Sequence, residues 1–159
     1  MIKLNDLVVA DAIVAKLTSD NRDGVIAELI DSLVKAKAVP KTLRDDLVKM
    51  IIAREKKGST GFGKGVAVPH VKHPKIKKMA ATIGLSPGGV DFNALDKAPV
   101  YTVVLLLSPE NKPDEHLQAM EIVFSHLQHD TFRRFMRQAT STEEVVDLMQ
   151  EADAQQIQG

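Results

Sequence analysis

The segment from Val100 to Leu107 reads Val-Tyr-Thr-Val-Val-Leu-Leu-Leu, β-rich and apolar throughout. Side chains of a strand point alternately to opposite faces, so a run of this kind has to be covered on both sides. That places it in the middle of a sheet lying between two other layers, with Pro109 as its stop. Upstream, Met79 to Ser86 reads as a second strand with Pro87-Gly88-Gly89 as its turn. Gly65 to Pro69 reads as a short strand ended by proline.

Helical periodicity flanks this block. Val25, Ile26, Leu29, Leu33 and Val34 predict a helix from Arg22 to Lys37, capped by Asp20 or Asn21. Leu43, Leu47, Met50 and Ile51 predict another from Lys41 to Arg54, opened by Pro40. Three more follow the central strand: Asp114 to Leu127, Asp130 or Thr131 to Gln138, and one opened by Ser141-Thr142-Glu143-Glu144 as a capping box and running to about Glu151. Leu4 to Leu17 offers only a short strand or turn and one helical turn, and the polar tail from Ala152 is expected to fray. The order (two helices, strands, then helices) predicts an α/β fold: one domain over residues 1–159, a sandwich with a central mixed β-sheet flanked by helices.

Composition agrees with one domain and narrows its chemistry. The chain has 159 residues, 44% of them hydrophobic but only 4% aromatic, so its core has to be aliphatic. Met120, Phe124, Phe132, Phe135 and Met136 are assigned to packing. Twenty-one cations balance 21 anions, which removes the overall field expected of a nucleic-acid binder. There is no cysteine, hence no disulfide and no thiolate metal site. Leu7-Val8-Val9-Ala10 is cut short by Asp11 and lacks a basic start, so it is neither a membrane span nor a signal peptide. A soluble, unexported, cytoplasmic protein is expected.

Charge is nevertheless uneven. From Arg54 to Lys78 there are eight cations and one acid, Glu55, a net of +7 that the remainder offsets with −7. The same stretch holds Gly58, Gly61, Gly63 and Gly65, which mark a loop, together with Ser59, Thr60, His70 and His73. Glycines let backbone N–H groups approach an anion, hydroxyls and arginine donate to phosphate oxygens, and a neutral imidazole is a nucleophile toward phosphorus. The loop is not a nucleotide-binding P-loop, because Lys64 is followed by Gly65 instead of Ser or Thr.

The run Arg54-Glu55-Lys56-Lys57-Gly58-Ser59-Thr60-Gly61-Phe62-Gly63-Lys64-Gly65-Val66-Ala67-Val68-Pro69-His70 resembles the signature of the IIA domain of the bacterial phosphoenolpyruvate-dependent sugar phosphotransferase system, fructose/mannitol type, a family that includes the nitrogen-regulatory IIA proteins. Val90-Asp91-Phe92, the Pro99–Pro109 strand and Glu115-His116-Leu117 extend the resemblance over nearly the whole chain. It implies an α/β sandwich whose His70 is phosphorylated, with His116 as a supporting histidine and Arg54 balancing phosphate charge. Ser59 and Thr60 are the hydroxyl pair expected to bind phosphate. It implies phospho-HPr or a paralogue as donor, a IIB domain as acceptor, and no metal or cofactor. A stand-alone regulatory IIA protein, whose phosphorylation state controls binding to target proteins, is the alternative. Where the family commonly has glycine after the histidine this chain has Val71, which disfavours positive φ. Lys72 and His73 lie outside the family pattern.

Two other readings are open. His70-x-x-His73 and His126-x-x-His129 are close pairs that a metal could use, although no H-E-x-x-H motif accompanies them. A nucleic-acid role for the basic stretch is weaker, with Phe62 its only aromatic residue.

Overall fold

A computed structural model describes residues 2–158. Its elements in chain order are α1 (Leu4–Leu7), α2 (Arg22–Lys35), α3 (Arg44–Lys57), β1 (Gly61–Gly63), β2 (Val66–Ala67), β3 (His70–His73), β4 (Ala80–Val90), β5 (Val100–Pro109), α4 (Pro113–Leu127), α5 (Asp130–Gln138) and α6 (Thr142–Gln158). The expected α/β sandwich with a mixed sheet is the observed one. Strand β5 is central, antiparallel to β4 on one edge and parallel to β2 and β3 on the other. β1 forms a hairpin with β2. The outer edge of β4 is met by the N-terminal segment through bridges at Val8 and Val14, with Asn21 bridging Asp91 just past the strand, which covers an edge that would otherwise offer free backbone groups.

Alternation along β5 divides the core. Val103, Leu105 and Leu107 face a layer built from α2 and α3, including Leu29, Leu33, Leu47 and Ile51. Val104 and Leu106 face α4, α5 and α6 through Val123, Leu127, Met136 and Met149. Of the aromatic and methionine residues assigned to packing, Met120, Phe132 and Met136 are buried, but Phe135 is exposed.

Helix ends follow local chemistry. Asn21 Oδ1 accepts from the Gly24 amide at 2.8 Å and starts α2. Its end comes two residues before the predicted Lys37: Lys37 turns left-handed (φ 64), while its amide and that of Ala38 reach back to Val34 and Leu33. That is a Schellman closure without glycine. Ser141 Oγ accepts from the Glu144 amide at 3.2 Å, one half of the expected capping box, while the Glu144 carboxylate accepts from the Thr140 hydroxyl at 3.0 Å. The tail expected to fray is instead helical to Gln158. The reason lies partly in Asp153, whose buried carboxylate accepts from the amides of Leu4 and Asn5 and ties α6 to the first turn of α1.

Three strand expectations need correction. The glycine-rich stretch is not simply a loop: Gly61–Gly63 pairs with Val66–Ala67 across a two-residue turn in which Lys64 and Gly65 both have positive φ. The strand expected to stop at Pro69 resumes beyond it. Val66 lies opposite Thr102 and His73 opposite Pro109 in one unbroken register, so Pro69 interrupts the pairing without changing the strand's course. Pro87-Gly88-Gly89 is not the turn either. Strand β4 bulges there and resumes pairing at Val90, opposite Val100. Gly89 has φ +82, and a Cβ on it would lie 2.7 Å from that of Pro99. Among the described residues no helix is long and apolar enough to cross a membrane.

Candidate functional site

The turn that follows α3 is knitted by the side chains of its own motif. Arg54 and Glu55 occupy the last turn of α3, where cations suit the helix C-terminus. The Arg54 guanidinium donates to the Gly58 carbonyl at 2.8 Å. The buried Glu55 carboxylate accepts from the Thr60 amide at 3.2 Å. Ser59 Oγ donates to the Phe92 carbonyl at 2.6 Å and accepts from the Gly61 amide at 2.9 Å. Thr60 is buried and among the described residues its hydroxyl has no partner, as is true of Glu55 Oε2. Both hydroxyls of the expected phosphate-binding pair are therefore engaged with backbone or enclosed. Gly61 permits this close fold, since a Cβ there would sit 2.9 Å from that of Ala94.

The hairpin and Pro69 deliver His70 to the start of β3, half-buried on the face that looks toward α4. Its Nδ1 lies 2.8 Å from the Val68 carbonyl. A carbonyl only accepts, so Nδ1 carries the proton and Nε2 keeps its lone pair in the neutral ring. Val71 continues the strand without positive φ and packs toward the α2–α3 core. A β-branched residue is at home there.

His116 arrives from the other side of the sequence, in the first turn of α4 behind Pro113. The rings of His70 and His116 are 5.5 Å apart, centroid to centroid, and tilted by 44°. His116 Nδ1 is 2.6 Å from Ser108 Oγ, a fully buried hydroxyl near the end of β5. Burial, helped by the nearby His70 ring and the Lys72 ammonium, pushes the His116 pKa below its ordinary value and so favours the neutral ring.

The structure thus brings His70 and His116 together. Among the described residues no hydrogen bond or ion pair joins Arg54 to either ring. Ser108 and the Val68 carbonyl escape sequence reading: one is a lone serine inside an apolar strand, the other a backbone group with no residue signal at all. Glu55 lies within the motif, but nothing in its sequence context marks it as the acceptor for Thr60.

The metal pairs separate. His73 points to the opposite face of β3 from His70 and is buried, its Nε2 at 2.6 Å from Asp46 and its Nδ1 accepting from the Lys75 amide. His126 is buried beside Asp153, with Nε2 3.4 Å from Oδ1, whereas His129 lies beyond the end of α4 and is exposed. Among the described residues no group of three or more His, Cys, Asp or Glu side chains is placed to hold a metal ion. A groove of about 750 Å³ among α4, α5 and α6 contains neither His70 nor His116. The paired histidines lie outside it.

The fold and site define an α/β domain that presents two neighbouring imidazoles, one with a free Nε2, at its surface. The chain belongs to the EIIA 2 family of the phosphoenolpyruvate-dependent sugar phosphotransferase system, whose family model matches residues 6–152. It is 30% identical over 149 residues to a nitrogen regulatory protein of Pseudomonas aeruginosa, covering 94% of this chain and 96% of that one. It is 28% identical over 151 residues to the fructose-specific EIIABC component of Bacillus subtilis, covering 95% of this chain but only 24% of that longer protein. Among solved structures it superimposes on the nitrogen regulatory protein IIA-Ntr of Neisseria meningitidis with a TM-score of 0.82 and 27% identity, covering 92% of this chain and 98% of the other.

Proposed function

We propose that this protein is a phosphoryl carrier in which His70 Nε2 takes a phosphoryl group from the phosphohistidine of HPr or a paralogue and passes it to a IIB domain. The observation that carries this reading is the 2.8 Å contact between His70 Nδ1 and the Val68 carbonyl, which leaves Nε2 as the free nucleophile. In the accepting step the Nε2 lone pair forms a bond to phosphorus while the donor's nitrogen–phosphorus bond breaks, its electron pair returning to the donor ring. Nδ1 keeps its proton, and the Val68 carbonyl stabilises the positive ring that results. Transfer of this kind asks for position and charge stabilisation more than for covalent help.

His116 is the supporting donor. With the Ser108 hydroxyl donating to Nδ1, the neutral ring turns Nε2–H toward the phosphoryl oxygens. Arg54 adds charge by exchanging the Gly58 carbonyl for a phosphate oxygen. Ser59 and Thr60 serve by holding the loop. No metal or cofactor enters this scheme.

His70→Ala is expected to abolish labelling from phosphoenolpyruvate, enzyme I and HPr; stoichiometric labelling of that variant would overturn the assignment. A second reading, in which the phosphorylation state controls binding to a regulatory target, draws support from the 0.82 TM-score to a nitrogen regulatory protein. Pull-downs with phosphorylated and unphosphorylated protein separate the two. Capture of a target that is not a IIB domain by one form alone favours regulation.

A further inference from the structure

Lys72 lies outside the motif, yet the backbone places it at the histidine pair. His70 and Lys72 are two apart in β3, so their side chains leave the same face of the sheet, the face toward α4. In the parallel pairing Lys72 stands opposite Ser108. Ser108 in turn bonds His116 at 2.6 Å, and His116 stacks obliquely on His70 at 5.5 Å. His70, Lys72, Ser108 and His116 therefore share one face of the sheet, with Lys72 placed beside the histidine pair by its register. The charge of Lys72 is felt at His116, where it helps to lower the pKa. Lys72 is exposed, and among the described residues no carboxylate pairs with it. Arg54, by contrast, is bonded to a carbonyl at the end of α3.

We propose that Lys72 is a catalytic residue of this site, the cation that meets the incoming phosphoryl group on His70. Its ammonium carries three donors on a flexible stem, so it reaches the phosphoryl oxygens without breaking an existing bond. A phosphoryl group brings close to two negative charges, and neither neutral imidazole offsets them before the nitrogen–phosphorus bond forms. This inference rests on His70 being the phosphorylated residue.

The test uses phosphoramidate as a small phosphoryl donor, so that no protein partner contributes. The His70 Nε2 lone pair attacks phosphorus, the bond from phosphorus to the departing nitrogen breaks, and ammonia leaves with that electron pair. Labelling of His70 is followed by ³¹P NMR in the wild type, Lys72→Gln and Lys72→Arg, with His70→Ala as background. An oriented donor in an enclosed site is worth more, but for an ammonium open to solvent Lys72→Gln should slow labelling by about tenfold. Lys72→Arg, which keeps the charge, should recover to within about threefold of wild type by the same reasoning. Labelling of Lys72→Gln within twofold of wild type, or no recovery in Lys72→Arg, overturns the role of Lys72 and leaves His70 standing. Failure to label His70 in the wild type brings down both readings.

Discussion

Ser108→Ala tests whether the second histidine works through its orientation. Ser108 has no exposed surface, and its hydroxyl sits 2.6 Å from His116 Nδ1. Alanine removes the hydroxyl and leaves a partly buried ring nitrogen without its partner. A fully buried unpaired group costs about 1–3 kcal/mol, and the half-exposed His116 places this case at the lower end, about 1 kcal/mol. For a chain of this length that lowers the melting temperature by about 2–4 °C. The functional loss is larger than the stability loss. Without Ser108 the ring is free to present Nδ1 or Nε2, in either tautomer, to the phosphoryl group. Each factor of ten in rate corresponds to about 1.4 kcal/mol at the transition state, and loss of such an orienting partner typically costs about 10–100-fold. Rapid-quench measurement of transfer from the phosphorylated protein to a IIB acceptor reads this directly. A double-mutant cycle completes the argument: because Ser108 acts through His116, Ser108→Ala/His116→Ala should be no slower than His116→Ala alone. Additive losses, or transfer by Ser108→Ala within twofold of wild type, refute the reasoning.

Two predictions concern the scaffold. A Cβ added at Gly84 would lie 2.8 Å from Leu29 Cδ2 and 2.9 Å from Leu17 Cδ2, so Gly84→Ala should destabilise by about 1–3 kcal/mol in urea titration without slowing phosphotransfer; an unchanged midpoint contradicts the packing described for β4. The pKa of His126 is held below 6.5 by burial, which outweighs the opposing pull of Asp153 and is reinforced by His129. Below 6.5 the unfolded chain takes up a proton that folded His126 does not. Stability is therefore full above that pH, falls as the pH drops through it, and levels off below the folded value. His116 has the same sign. Denaturation midpoints between about pH 7.5 and 5.5 should fall less steeply in His126→Gln than in wild type, and identical slopes would show that His126 is not buried neutral.

How much of this was legible depended on which signal each residue left. β5 was readable because an apolar run with no polar face has one place to go. α2 and α6 were readable at their starts because Asn21 and Ser141 satisfy free amides. β1 was not, because glycine carries no strand preference. Its pairing with Val66–Ala67 comes from the tight turn at Lys64-Gly65 and from contacts that Ser59 and Glu55 impose. Pro87-Gly88-Gly89 has the composition of a turn, yet β4 pairs again at Val90 after bulging past Pro99 and Tyr101. The histidine spacings left a metal reading open for a related reason. Spacing of three brings residues together only on one continuous helix; β3 puts His70 and His73 on opposite faces, and α4 ends before His129.

The arrangement around His70 also bears on why the site is so sparingly built. A carrier has to release what it accepts, so contacts that stabilised the phosphorylated form alone would slow the onward step. The fixed hydrogen bonds here are made to the rings: the Val68 carbonyl holds one imidazole and Ser108 the other. The two cations assigned to the phosphoryl group are not held against it in advance. Arg54 is occupied at Gly58, and Lys72 stands on an exposed strand position. On the proposed role of His70, geometry is preset while charge would be supplied on demand, which would favour the phosphorylated intermediate enough to form it without making it a trap. It follows that fixing a cation over His70 permanently should lengthen the life of the phosphohistidine while slowing its delivery to the acceptor.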